Sequence, residues 1–318
     1  MRVLFTCACG QNSEKLFHDI KKDLGKKVLL FGCDIKKKFG KTNLHRFYKV
    51  SLKNNNNFLK QILKICKDNQ INLIVAWADK EIEILSKNKN KFKKIKTKIL
   101  LNNYKLIKIF NDKFKTFQLL KKMNIPLPRY KLLTKNLNIK QSLMNFGYPK
   151  KSVIIKSRYG IGGRGTYLLM GKDYKKYSWF GNFGREKKFF RINNKILSQI
   201  VQKNKSILME AMNKPAYDVD ILKTKNDFLT SIRKRNNPAG IPYRGSKVIS
   251  NKKILRISKK IVEKLRLKYI LDFDFMTRMN GNTPTILEIN PRPSGSIVDS
   301  HHKGKKILTK MLRVFMKN

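Results

Sequence analysis

The first hundred residues alternate short apolar runs with amphipathic segments, and this alternation constrains the fold more than any other feature of the sequence. RVLFTCA (2–8) and KVLLFGCD (27–34) flank a helical pattern around 13–24. NLIVAWAD (72–79) and KILL (98–101) follow, with a helix near 56–68 before them and a second opening at Asp79 between them. Apolar runs of this length read as strands, and the intervening segments carry apolar residues at helical spacing. Strands joined by helices predict βαβ units and therefore a parallel sheet.

From about Asn111 the pattern changes. NDKFKTFQLLKKMNIPLPRY begins with a helix that Asp112 can cap and ends in a proline-rich exit, which predicts a domain boundary near residue 110. Strands are then predicted at SVIIKSR (152–158), TYLLM (166–170), SILMEAM (206–212), DVDILKT (218–224) and FLTSIRKR (228–235). A helix over about 251–266 leads to the pair LDFDFMTRM (271–279) and TPTILEINP (283–291), and a basic helix closes the chain. There are no internal repeats.

Between the first two of these strands lies GIGGRG (160–165), which satisfies G-x-G-x-x-G. A dinucleotide fingerprint needs such glycines to open a helix, but TYLLM reads as strand. A P-loop needs Lys after its last glycine, and Thr166 stands there. Strand, glycine turn and strand make instead a flap whose backbone N–H groups can close over phosphates, with Lys156 supplying charge. A glycine-rich hairpin without a ligand is the alternative.

In the later pair, Asp272 and Asp274 share one strand face, as do Glu288 and Asn290. If NGNTP (280–284) is the turn between them, antiparallel pairing brings Asp274 close to Glu288 and Asn290. Oxygen ligands clustered in this way suit magnesium that also holds phosphates. The alternative is plain pairing of Asp272 or Glu288 with Lys or Arg.

Charge adds little to this. The chain has 73 Lys and Arg against 20 Asp and Glu, a formal net charge of +53. The lysines are spread along the whole length beside abundant Asn and Ile, as a codon bias gives, whereas a nucleic-acid footprint should cluster. No run reaches the roughly 18 apolar residues of a spanning helix, and MRVLFTCACG lacks the order of a signal peptide, so a cytoplasmic location is expected. Cys7, Cys9, Cys33 and Cys66 show no zinc spacing and read as free thiols.

Flap and acidic hairpin in this order resemble the ATP-grasp superfamily, most closely the ATP-binding module of the carbamoyl-phosphate synthetase large chain and its stand-alone relatives. The resemblance implies an α/β chain with a Rossmann-like pre-ATP-grasp domain at 1–110 and a two-lobed ATP-grasp domain at 111–318, with a flap lobe at about 150–208 and a metal-binding lobe at about 209–318. WADKEIEIL is similar to the family's D-x-E-hydrophobic segment. By the match, Lys113 and Lys156 contact phosphates under the flap glycines Gly162, Gly163 and Gly165. Glu210 and the backbone near Met212 meet the adenine. Asp274, Glu288 and Asn290 hold Mg²⁺, with Mn²⁺ as a substitute, and Arg292 faces the transferred phosphate. Arg233 or Arg235 assists with an anionic substrate or the γ-phosphate. Ala216 stands where the family has its ribose-binding Glu, leaving Asp218 as the substitute. Asp272 stands where D-alanine ligase relatives have Arg, which argues against that branch. His301 and His302 are expected as solvated loop residues.

The implied activity is ATP-dependent ligation of a small carboxylate to an amine or similar acceptor through an acyl phosphate. It needs no protein nucleophile, no specific nucleic acid and no membrane span, and oligomerisation is open. The rival readings are an ATP-binding but non-catalytic scaffold for nucleic acid or another polyanion, and a membrane-associated protein using Leu308, Met311, Leu312 and Phe315. The aromatic stretch 177–190 reads equally as a lid or a docking surface.

Overall fold

The computed structural model describes all residues except 11, 37–42, 53, 135, 161, 182–185, 191–192, 203, 237–244, 279–282 and 317–318, and the side chains of 302 and 303. Part of the GIGGRG loop, part of the aromatic stretch, most of the NGNTP turn and the His302 side chain therefore lie outside the described residues.

The alternating amino-terminal segment forms the expected parallel sheet. Strands β1 (Arg2–Thr6), β2 (Leu29–Asp34), β3 (Arg46–Lys49), β4 (Leu73–Val75) and β5 (Lys98–Ile99) lie in the order β3-β2-β1-β4-β5. They are linked by α1 (Ser13–Leu24), α2 (Asn55–Asp68), α3 (Asp79–Lys87) and α4 (Lys89–Lys94). β3 was not expected, because RFYK lies at the sheet edge and buries none of its residues fully. The order reverses between β1 and β4, so the loops leaving their carboxyl ends diverge around a crevice.

Two further helices follow, α5 (Tyr104–Phe110) and α6 (Lys113–Lys122). Asp112 caps α6, its carboxylate accepting from the Lys115 N–H at 3.2 Å. The second sheet is built from β6 (Tyr130–Leu133), β7 (Val153–Ser157), β8 (Thr166–Leu169), β9 (Lys187–Phe189) and β10 (Ser206–Glu210), in the order β6-β10-β7-β8-β9, with α7 (Ile139–Asn145) and α8 (Asn194–Ile200) beside it. Thr166–Leu169 is thus strand, and the glycine loop joins two antiparallel strands.

The third sheet is antiparallel: β11 (Asn213–Lys223), β12 (Phe228–Arg235), β13 (Ser246–Ile249), β14 (Tyr269–Thr277) and β15 (Pro284–Asn290), in the order β13-β12-β11-β14-β15, with α9 (Lys252–Lys264) before β14. After β15 come α10 (Ile297–Ser300), a π-helical turn at His301–Lys305, and α11 (Ile307–Met316).

One apolar cluster ties the ends of the chain together. Phe5, Leu16, Phe17 and Ile20 pack with Leu222 and Ile270 of the third sheet and with Leu308, Met311 and Leu312 of α11. The stripe that suggested a membrane surface is therefore core, and no helix among the described residues is long and apolar enough to cross a membrane. His301 also departs from expectation. It is buried, with Nε2 3.2 Å from Asp23 Oδ2, because α10 and α11, on either side of the turn that carries it, pack against α1.

Candidate active site

A cavity of about 490 Å³ lies between the second and third sheets and is reached by the loops after β1 and β4. Its acidic floor follows from strand periodicity. On β14, Asp272 and Asp274 point the same way, and the register places Asp220 and Asp218 of β11 opposite them on one side. On the other side Glu288 lies opposite Asp274, and Asn290 opposite Asp272. Asn290 is thus nearer Asp272 than the expected Asp274, and its Nδ2 donates to Asp272 Oδ2 at 3.3 Å.

Carboxylate oxygens of Asp218, Asp272 and Asp274 all lie within 4.8 Å of one another. Burial pushes the Asp272 carboxyl well up, and Asp274, Asp218 and Asp220 add to the push. Burial also raises Asp274, to about 7, despite the pull of Arg235. Asp272 Oδ1 is buried without a hydrogen-bond partner. An all-oxygen cluster with an orphaned oxygen and mutually repelling charges fits a hard divalent cation such as Mg²⁺, for which Asp218, Asp272 and Asp274 would supply the clustered oxygens, with Glu288 and Asn290 opposite Asp274 and Asp272 on β15. Asp272 did not stand among the expected ligands, because spacing along β14 does not reveal its neighbours on β11.

A proton would compete with such a cation at Asp274. Mg²⁺ affinity, measured by titration, is therefore expected to fall as pH drops through about 7, by up to about tenfold per unit. A flat profile from pH 8 to 5.5 would contradict this assignment.

Above the floor two lysines converge. Lys113, the first residue of α6, has Nζ 3.0 Å from Glu288 Oε1, and it also donates to the Gly160 carbonyl. Lys156 is buried in β7, where desolvation and then the neighbouring Lys113 push it down to about 8. Burial alone would raise Glu288, but Lys113 and Lys156 hold it below its ordinary value. Cations packed this closely with one carboxylate suit a polyphosphate, which supplies the missing negative charge.

The glycine flap arches over them. Gly162, Gly163 and Gly165 have φ of 58°, 75° and 70°, the left-handed region that the turn requires. A Cβ on Gly163 would fall 2.6 Å from Glu186 Oε1, and one on Gly165 2.9 Å from the Ser157 Cβ. Gly162 and Gly163 line the cavity, while Gly165 shapes the turn behind them.

At the far end the wall is apolar, formed by Ile154, Met209, Ala211, Met212, Tyr177 and Phe180. Tyr177, Trp179 and Phe180 assign that part of the aromatic stretch to the cavity wall. Glu210 is turned away: on β10 it alternates with Met209, and its Oε1 accepts from the Arg129 N–H at 2.7 Å and Arg278 Nε at 3.1 Å. Asp218 does not stand at this end either. It is buried among the acids, with Arg235 Nε donating to it at 2.8 Å, whereas Ala216 lines the wall.

The arginines take three different positions. Arg235 bridges Asp218 and Asp274, the latter at 3.1 Å, and lines the cavity. Arg233 is wholly buried behind it, 2.8 Å from Asp220 and donating to the Ser296 carbonyl at 3.0 Å. Arg292 lines the cavity but is held by Asp79, with Nε to Oδ1 at 2.8 Å and a second bond at 3.2 Å. Asp79 and Trp77 were legible as part of a strand and helix start and of the segment WADKEIEIL, but their partners, more than two hundred residues away, were not.

Residues 202–317 match the family described as ATP-grasp in the biosynthetic pathway with Ter operon, and residues 3–100 match the PylC-like N-terminal domain. No curated protein matches the chain. Among solved structures, L-amino acid ligase from Bacillus licheniformis is 11% identical with a TM-score of 0.63, covering 94% of this chain and 69% of that one. N5-carboxyaminoimidazole ribonucleotide synthetase from Thermotoga maritima is 19% identical, TM-score 0.62, covering 94% and 70%. The biotin carboxylase domain of 2-oxoglutarate carboxylase from Hydrogenobacter thermophilus, in complex with MgADP, ADP and bicarbonate, is 14% identical, TM-score 0.60, covering 92% and 64%. These neighbours are a ligase, a synthetase and a carboxylase domain, and at such identities the likeness shows the fold alone. Fold and matched segments agree: the chain carries a PylC-like amino-terminal domain at 3–100 and, at 202–317, a segment that matches an ATP-grasp family.

Proposed function

We propose that the chain is a Mg-ATP-dependent carboxylate–amine ligase. The observation that carries this reading is the meeting of Lys113, Lys156 and Glu288 beneath the flap, directly over the acids of β14. A substrate carboxylate oxygen bonds to the γ-phosphorus as the bond from that phosphorus to the ADP oxygen breaks. An amine then displaces phosphate from the acyl phosphate, losing its proton as the amide forms. Bound Mg²⁺ would neutralise phosphate charge.

The chain's own residues do the rest. Lys113 and Lys156 hold the phosphates, and the N–H groups of the flap exclude water and fix the γ-phosphate in line. Arg235 and Arg292 stabilise charge on the transferred group. Met209, Met212, Tyr177 and Phe180 offer the adenine an apolar slot. The domain division at residue 110, acceptance of Mn²⁺ and a cytoplasmic location belong to the same proposal. Bicarbonate, as in carbamoyl-phosphate synthetase, is one candidate carboxylate.

The test is ADP formation from ATP with and without Mg²⁺, over a panel of amino acids, other carboxylates and bicarbonate, each with an amine acceptor. Turnover that requires both Mg²⁺ and a panel member supports the reading. Absence of Mg²⁺-dependent nucleotide binding sinks it and leaves a scaffold of the same shape.

A further inference from the structure

Past the acids the cavity runs on toward the first sheet. Cys7 and Gly10, after β1, and Trp77 and Asp79, after β4, form one wall. These loops leave neighbouring parallel strands where the strand order reverses, the place at which an open α/β sheet leaves room for a ligand. The facing wall is Arg292 with Ser294 to Ser296. A Cβ on Gly295 would meet nothing within 4 Å, so there is open space beside it. The Trp77 ring nitrogen donates to the Ser294 carbonyl at 3.1 Å and fixes the indole between the two walls.

Across this end stands the two-pronged Asp79–Arg292 pair, whose side chains are 15% and 14% exposed. A pair so far from water resists opening by a ligand with a single charge. An anion that takes Arg292 strands Asp79, and a cation that takes Asp79 strands Arg292. A molecule carrying both an ammonium and a carboxylate replaces each lost partner with the same charge. Arg292 also feels the charges of Asp272 and Glu288, so a carboxylate held by it lies at the phosphate end of the cavity.

We infer that the carboxylate activated here belongs to an amino acid, with its ammonium on Asp79, its carboxylate on Arg292 and Trp77 along its side chain. The place of this ligand in a reaction rests on the ligase reading; its binding does not. Asp79 is then the residue that separates amino acids from plain carboxylates.

The experiment is calorimetric titration of the wild-type protein, with and without ADP and Mg²⁺, using free amino acids, their N-acetyl forms and the corresponding decarboxylated amines. At least one free amino acid is expected to bind, with both truncated forms weaker by about tenfold or more. Asp79→Asn is expected to weaken that amino acid by about tenfold or more, with ADP binding on the same sample reporting that the variant is folded. Binding of an N-acetyl form as tight as the free amino acid overturns the inference, as does a wild type that binds ADP but no amino acid. Amino-acid binding without any nucleotide binding would uphold the subsite and overturn the ligase reading.

Discussion

Glu288→Gln is expected to lower kcat for ATP turnover by about a thousandfold, equivalent to about 4 kcal/mol of transition-state stabilisation. Glu288 lies opposite Asp274 on the paired strand and 3.0 Å from Lys113, so in the proposed reading it serves the cation cluster and the metal site together. The amide keeps the shape and removes the charge. Lys113 and Lys156 then lose their common counter-ion in a buried site, and a bound Mg²⁺ would lose a ligand. Steady-state kinetics at saturating Mg²⁺, with nucleotide affinity measured alongside, separate the two effects. A kcat within tenfold of wild type would remove Glu288 from the chemistry.

The largest effect on stability is expected at Arg233. Its side chain is wholly buried, paired with the equally buried Asp220 at 2.8 Å and hydrogen bonded to Ser294 and Ser296 of the segment after β15. Arg233→Met leaves Asp220 without its arginine in the protein interior, which typically costs about 3–5 kcal/mol. Asp218 suffers less, because Arg235 remains beside it. Urea unfolding measures the loss, and the double variant with Asp220→Asn is expected to recover part of it. A loss below about 1 kcal/mol would mean that the pair contributes no more than a surface ion pair.

What the sequence reveals about this protein divides along physical lines. Alternation within a strand is local, so the shared face of Asp272 and Asp274, and that of Glu288 and Asn290, could be read from spacing. Antiparallel pairing of β14 and β15 followed from their adjacency, although the bulge between Asp274 and Phe275 set a register that spacing does not give. The neighbours of β14 on its other side, Asp218 and Asp220, come from a strand about fifty residues earlier, and nothing local announces them. Short edge strands such as β3 and β13 escaped for a related reason: each has four residues, with at most one fully buried, so the apolar signal is weak. Glu210 shows the opposite failure. Its position after an apolar run was visible, but the face it takes depends on Arg129 and Arg278, which reach it from other elements. The Asp79–Arg292 pair joins residues 213 apart and became visible only when the first sheet met the segment after β15.

The most direct test of the acyl-phosphate route is isotopic. The acid that stimulates ADP formation is supplied with ¹⁸O in its carboxylate, and the phosphate released after amide formation is examined by mass spectrometry. One labelled oxygen in that phosphate is the predicted result, because the carboxylate oxygen stays with phosphorus when the amine displaces it. Phosphate free of label would contradict the account and move the ATP chemistry away from the carboxylate.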